Sequence, residues 1–181
     1  MVSAGTISLF PFSGMFVALT RRFRRVMAAL PVAVLAAAAL PAQADTALPP
    51  VRNLQQSVEL AASRHQPLIV MFALPDCPYC EKLRRTQYQF LARDGYLVQQ
   101  VEINDRRPVT GFDGRPISGA ELARKYGIKL APTVLFFGPG GREIGERIVG
   151  AMTEDFYGAF IQRAIKESGA ALAAPHAGPP V

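Results

Sequence analysis

The sequence has no tryptophan, two cysteines and two histidines among 181 residues. Two cysteines are too few for a disulfide framework. His65 closes a helical pattern and His176 lies in an Ala/Pro/Gly tail, so both read as surface residues rather than as partners for a zinc site. A long uninterrupted apolar run is also missing. The best candidate, residues 26–40, is short for a membrane span, rich in alanine and broken by Pro31. The formal charge of +6 and pI near 9.7 suggest a nucleic-acid partner, but no basic stripe interleaved with aromatics supports one. Four of the twenty basic residues are Arg21, Arg22, Arg24 and Arg25, and without residues 1–44 the count is 16 basic to 14 acidic. No internal repeat is present. The length suits one domain and not two, and with half the residues apolar that domain can hold a packed core.

Residues 1–44 read as an export signal. Arg21 to Arg25 form a basic region, residues 26–40 an apolar one, and Ala42-Gln43-Ala44 an A-x-A cleavage site. Cleavage near Ala44 places the mature chain in the periplasm, or outside the cell, with no stable membrane anchor. No cysteine follows the apolar region to carry a lipid, and the residues after Arg21-Arg22 fit a twin-arginine signal poorly. Met15 gives a more ordinary signal start than Met1.

Both cysteines lie in Asp76-Cys77-Pro78-Tyr79-Cys80. The apolar run 68–74 leads in, with the length of a strand buried on both faces, and a polar helical pattern leads out. This spacing sets both sulfurs on one helical turn, close enough to bridge. Cys77 falls where free N–H groups and the helix dipole favour a thiolate, while Asp76 opposes it by like charge. A moderately acidic thiol follows, with Arg84 and Arg85 too far along the helix to compensate. Cys77 is the expected nucleophile and Cys80 the resolving thiol. A purely structural disulfide is the competing reading. Its loop is too small to stabilise much through chain entropy, and tight pairs of this kind are reactive.

Around this motif the chain reads as a leader over 45–53, mobile at its start, a domain over 54–168 and a disordered tail over 169–181. Helices are expected over 54–65, over 77–92 with Leu83, Phe90 and Leu91 inward, and over 119–126 behind the capping box of Ser118 and Glu121. A last helix runs from a cap at Thr153 to about Lys166, with Phe156, Phe160 and Ile161 inward. Strands are expected over 68–74, 96–104 and 133–137, with 143–149 pairing back as a hairpin. Residues 105–119 read as a long polar loop. The result is an α/β domain, a mixed central sheet of about four strands flanked by helices, its first crossover right-handed.

Cys77-Pro78-Tyr79-Cys80 after a buried strand, Ala131-Pro132-Thr133 before the third strand, and the hairpin and helix that follow resemble a thioredoxin. With Pro75-Asp76, Lys125-Tyr126-Gly127-Ile128 and Gly140-Gly141-Arg142-Glu143, the pattern is similar to the exported thioredoxin-related group that includes SoxW-type proteins. The resemblance implies a cis Pro132 beside the dithiol and a substrate-binding loop of Ala131, Pro132 and Thr133. Asp76, Pro78 and Tyr79 then tune the pair. It implies no cofactor. Its partners are exported proteins with oxidised cysteines and a membrane thiol electron donor of the DsbD or CcdA kind. Two departures stand out: Asp76 replaces the usual Trp, and Met71 replaces a buried Asp, leaving water, Glu81 or Lys82 to manage protons. The Pro-Tyr dipeptide is shared with glutaredoxins, which does not make glutathione the substrate. The expected function is a thiol-disulfide oxidoreductase, acting mainly as a reductase. A disulfide oxidase or isomerase, and a redox-inert binding module, are the alternatives.

Overall fold

A computed structural model of the chain describes residues 47–151 and 154–174. The fold is built outward from β1 (Leu68–Ala73), whose six residues are all buried. Ile69, Met71 and Ala73 join one core cluster, and Leu68, Val70 and Phe72 the other, so the strand faces apolar layers on both sides. β2 (Val98–Glu102) pairs parallel with β1, β5 (Thr133–Phe137) antiparallel with it, and β6 (Ile148–Val149) antiparallel with β5. The order is β2-β1-β5-β6, a mixed four-stranded sheet.

α1 (Leu54–Ser63) starts at Asn53, whose side chain accepts from the Gln56 N–H at 2.9 Å, and it buries Leu54, Val58 and Ala61. The crossover from β1 to β2 is one long helix in three parts: α2 (Pro78–Leu83), a π-helical turn over Arg84–Tyr88, and α3 (Gln89–Arg93). α4 (Gly119–Lys125) opens on the Ser118/Glu121 capping box with both reciprocal bonds made. α5 (Glu154–Ala173) closes the domain. Element order and sheet topology are those of the thioredoxin fold.

Several expectations need correction. Residues 105–119 are not simply a loop. They hold a second, two-stranded sheet of β3 (Pro108–Thr110) and β4 (Pro116–Ser118). Phe112 near the turn is buried, 4.8 Å from the Phe137 ring and 6.3 Å from that of Tyr126, which secures this polar stretch to the core. The leader is not free at residues 47–51. Gln100 donates to the Pro49 carbonyl and Val51 to the Gln100 carbonyl, both at 2.9 Å, and Leu48 is buried. This segment therefore caps the outer edge of β2.

Phe90 is 48 % exposed and Phe156 64 %, whereas Ile161 is buried and Phe160 packs beside the core at partial exposure. The π turn accounts for Phe90. Its extra residue breaks the 3.6 spacing, so the buried positions run Cys80, Leu83, Tyr88, Leu91 and Phe90 turns outward. The 143–149 segment pairs only at its ends, through Glu143 with Phe137 and through β6. α5 runs past Lys166 to Ala173, with Leu172 lying against Gly138, so the first residues assigned to the tail are helical. The expected cap at Thr153, the residues before Ala47 and the tail from 175 onward lie outside the described residues.

Gly141 fixes where Phe112 seats. Its φ is +78°, and a Cβ there would stand 2.4 Å from the Phe112 ring. Gly141→Ala is expected to cost about 2–3 kcal/mol. Gly140, with φ +70° and open space around it, provides the comparison: there Ala costs only about 1 kcal/mol. Urea midpoints of the two variants check this ordering.

Candidate active site

β1 delivers the chain to the site and α2 receives it. Between them Asp76 takes a positive φ of 51°, a conformation that Asp tolerates better than most residues. Cys77 is the N-cap of α2, in extended backbone, and its sulfur accepts from the Cys80 N–H at 3.2 Å. Pro78 follows at the first helical position, where a missing N–H costs nothing. Cys77 and Cys80 are joined as a disulfide, with Cα atoms 5.3 Å apart. The two sulfurs differ in access: Cys80 is fully buried, Cys77 is half-buried, and Tyr79 between them is 64 % exposed.

The Ala131–Pro132 peptide is cis. Pro132 accepts from the Gly150 N–H at 2.8 Å, and the Thr133 hydroxyl donates to the Leu130 carbonyl at 2.6 Å. Both bonds hold the loop, whereas Ala131 makes no loop hydrogen bond among the described residues. Cys77 and Ala131 pack against the same core cluster that buries Cys80, and because Phe72 near the end of β1 pairs with Thr133 at the start of β5, the dithiol and this loop share one end of the sheet. Exposed Leu74, Tyr79 and Leu130 belong to the segments that meet there. A cleft of about 210 Å³ runs beside the loop past Leu130, Thr133, Val149 and Arg147.

Met71, six residues before Cys77, is fully buried in that cluster and lies opposite Gln100 of β2. No carboxylate therefore occupies the strand below the disulfide. Polar groups approach from the helix instead. Arg84 donates through Nε to the Glu81 carboxylate at 3.1 Å and through Nη1 to the Gln100 side-chain oxygen at 2.5 Å. The sequence leaves water, Glu81 or Lys82 as proton carriers and does not point to Arg84 or Gln100 as neighbours of Glu81. An Arg three residues after a Glu on a helix was the available signal; the cross-strand partner had none. Among the described residues no cluster of three or more metal-ligating acids, histidines or cysteines gathers.

The same cluster holds a buried phenol pair, Tyr88 and Tyr157, with hydroxyls 2.9 Å apart and rings edge to face. Burial raises Tyr88 well above the ordinary phenol value and Tyr157 to about 12. Burial, followed by the nearby Glu143, raises Tyr126 to about 12. Unfolded phenols ionise near pH 10, so the stability these groups lend is intact below about pH 10 and is lost as pH climbs toward 12. At about pH 11, three of the five tyrosines are expected to stay neutral in an ultraviolet titration of the folded protein. Ionisation of four or five by that point contradicts the packing described.

Comparison with known proteins places these observations. Curated proteins contain no match to the chain. Among solved structures it is similar to thioredoxin O2 of Arabidopsis thaliana, at 15 % identity, covering 60 % of this chain and 84 % of that one with a TM-score of 0.42. Mitochondrial thioredoxin 3 of Saccharomyces cerevisiae is similar at 16 % identity, covering 64 % and 94 % with a TM-score of 0.43. A thioredoxin-fold protein of Helicobacter pylori follows at 17 % identity, 60 % and 83 % coverage and a TM-score of 0.42. These likenesses are too distant to bear on function. The family model described as a thioredoxin-like domain matches residues 54–165, well over half the chain, and the protein belongs to that family.

Proposed function

We propose that the protein is an exported thiol-disulfide oxidoreductase that reduces disulfides in other exported proteins. The observation that carries this reading is the asymmetry of the pair: Cys77 is the half-buried N-cap of α2, and Cys80 is fully buried one turn in. Helix-terminal N–H groups favour a thiolate at Cys77. That thiolate attacks one sulfur of a client disulfide. The client S–S bond breaks, a Cys77–client bond forms, and the departing client sulfur takes up a proton. Cys80 then loses its proton and attacks Cys77, which releases the second client thiol and leaves Cys77–Cys80 oxidised. Two electrons pass to the client, and a dithiol donor must restore them. A membrane thiol transporter of the DsbD or CcdA kind fits that need.

Ala131, with its main chain outside the loop's own hydrogen bonds, pairs with an extended client strand while Pro132 and Thr133 shape the loop. Asp76, Pro78 and Tyr79 set the local charge and exposure around the nucleophile. The basic, apolar and A-x-A segments of residues 1–44 support export to the periplasm or beyond. The kinship with SoxW-type proteins belongs to the same proposal and rests on the motifs quoted above.

Cys80→Ser tests the order of events. It is expected to arrest the reaction as a mixed disulfide through Cys77, visible as a mass adduct that dithiothreitol removes. Adducts that form equally well in Cys77→Ser, through Cys80, contradict the assignment.

A further inference from the structure

We infer that Arg84 is a positioning residue for the dithiol, and that it acts by neutralising Glu81. This inference rests on the reading above. Cys77 caps α2, and the Glu81 N–H donates to the Cys77 carbonyl at 3.0 Å. Glu81 therefore stands in the first turn after the nucleophile, close enough along the helix for its charge to act on a thiolate at Cys77. Asp76, next to Cys77 in the chain, adds a second carboxylate. Two negative charges around a thiolate destabilise the reduced pair and push its potential down.

Arg84 cancels one of them. Its Nε reaches Glu81, and its side chain is only 13 % exposed because Nη1 is anchored on Gln100 in the sheet below. The anchor matters, since a freely solvated ion pair of this spacing would be weak. Gln100 is itself fixed by the 47–51 segment, which binds both its N–H and its carbonyl. The charge that offsets Glu81 is thus held by the edge strand rather than by the helix alone. Gln100 also lies opposite Met71, so the anchored cation reaches from the π-helical turn to the sheet beside Met71.

The test is a glutathione equilibrium on the pure protein for four variants. Arg84→Gln is expected to make the pair about fivefold harder to reduce, a shift of about 20 mV toward more negative potential. Glu81→Gln alone is expected to make the pair easier to reduce by a comparable factor, because it leaves the Arg84 cation without its counter-charge. The double variant, with both charges gone, returns to within about twofold of the wild-type constant. Arg84→Lys keeps the cation and retains most of the wild-type value. The charges of Asp76, Lys82, Arg85, Glu102 and Lys129 are the same in all four. A double variant that stays about fivefold harder to reduce than wild type overturns the inference. So does a Glu81→Gln variant that leaves the constant within about twofold of wild type, which decides the matter if Arg84→Gln fails to fold. If the wild type shows no reversible couple, the proposed function falls with it; if the couple is present and only the coupling is missing, the function stands.

Discussion

Cys77→Ser is expected to reduce disulfide turnover to the background rate of dithiothreitol alone. A hydroxyl at the N-cap still accepts the Cys80 N–H, because Ser is among the preferred N-cap residues, so α2 keeps its start. What is lost is the only thiolate with access to a client, since Cys80 is fully buried. The variant therefore separates chemistry from folding. Its urea midpoint should match that of the reduced wild type, while insulin reduction falls to background. Residual turnover well above background, with folding intact, shows that Cys77 is not the nucleophile.

The second large effect concerns Met71. Met71→Asp places a carboxylic acid at a site with no exposed surface, in a cluster of apolar residues around Cys80. The loss expected at neutral pH is about 2–4 kcal/mol, from a buried polar group without a prepared partner. Burial raises the folded-state pKa of the new acid above its unfolded value near 4. The unfolded chain then ionises first as pH rises, so the variant loses stability progressively above about pH 4, until the folded-state pKa is passed. Urea midpoints at mildly acidic and mildly alkaline pH, against wild type, check the slope. A pH-independent deficit means that the acid is solvated, or that Arg84 swings from Glu81 to meet it.

Much of this site was legible in the sequence. The apolar run into Asp76-Cys77-Pro78-Tyr79-Cys80 marks a buried strand entering a helix, and it is that. Ser118 with Glu121 marks a capping box, and both its bonds form. The parts that stayed hidden share a physical reason: they depend on contacts distant in sequence. Phe112 looks like a loop residue until Phe137 and Tyr126 close around it. Phe90 looks buried until the Arg84–Tyr88 turn shifts the helix register. The Ala-rich start of the tail reads as low complexity, yet alanine is the strongest helix former, and Leu172 finds Gly138 to lean on. Arg84 and Gln100 are sixteen residues apart, and only the crossover brings them together.

The most direct test is the equilibrium reduction potential of the Cys77/Cys80 pair, read against a glutathione or dithiothreitol series. A dithiol built to reduce clients should show a reversible two-electron couple toward the thioredoxin end of the family range, roughly −270 mV. A value near the other end, roughly −120 mV, makes the protein a disulfide donor and contradicts the direction proposed here. No reversible couple at all leaves the groove beside Pro132 as a redox-inert binding site and contradicts the chemistry itself.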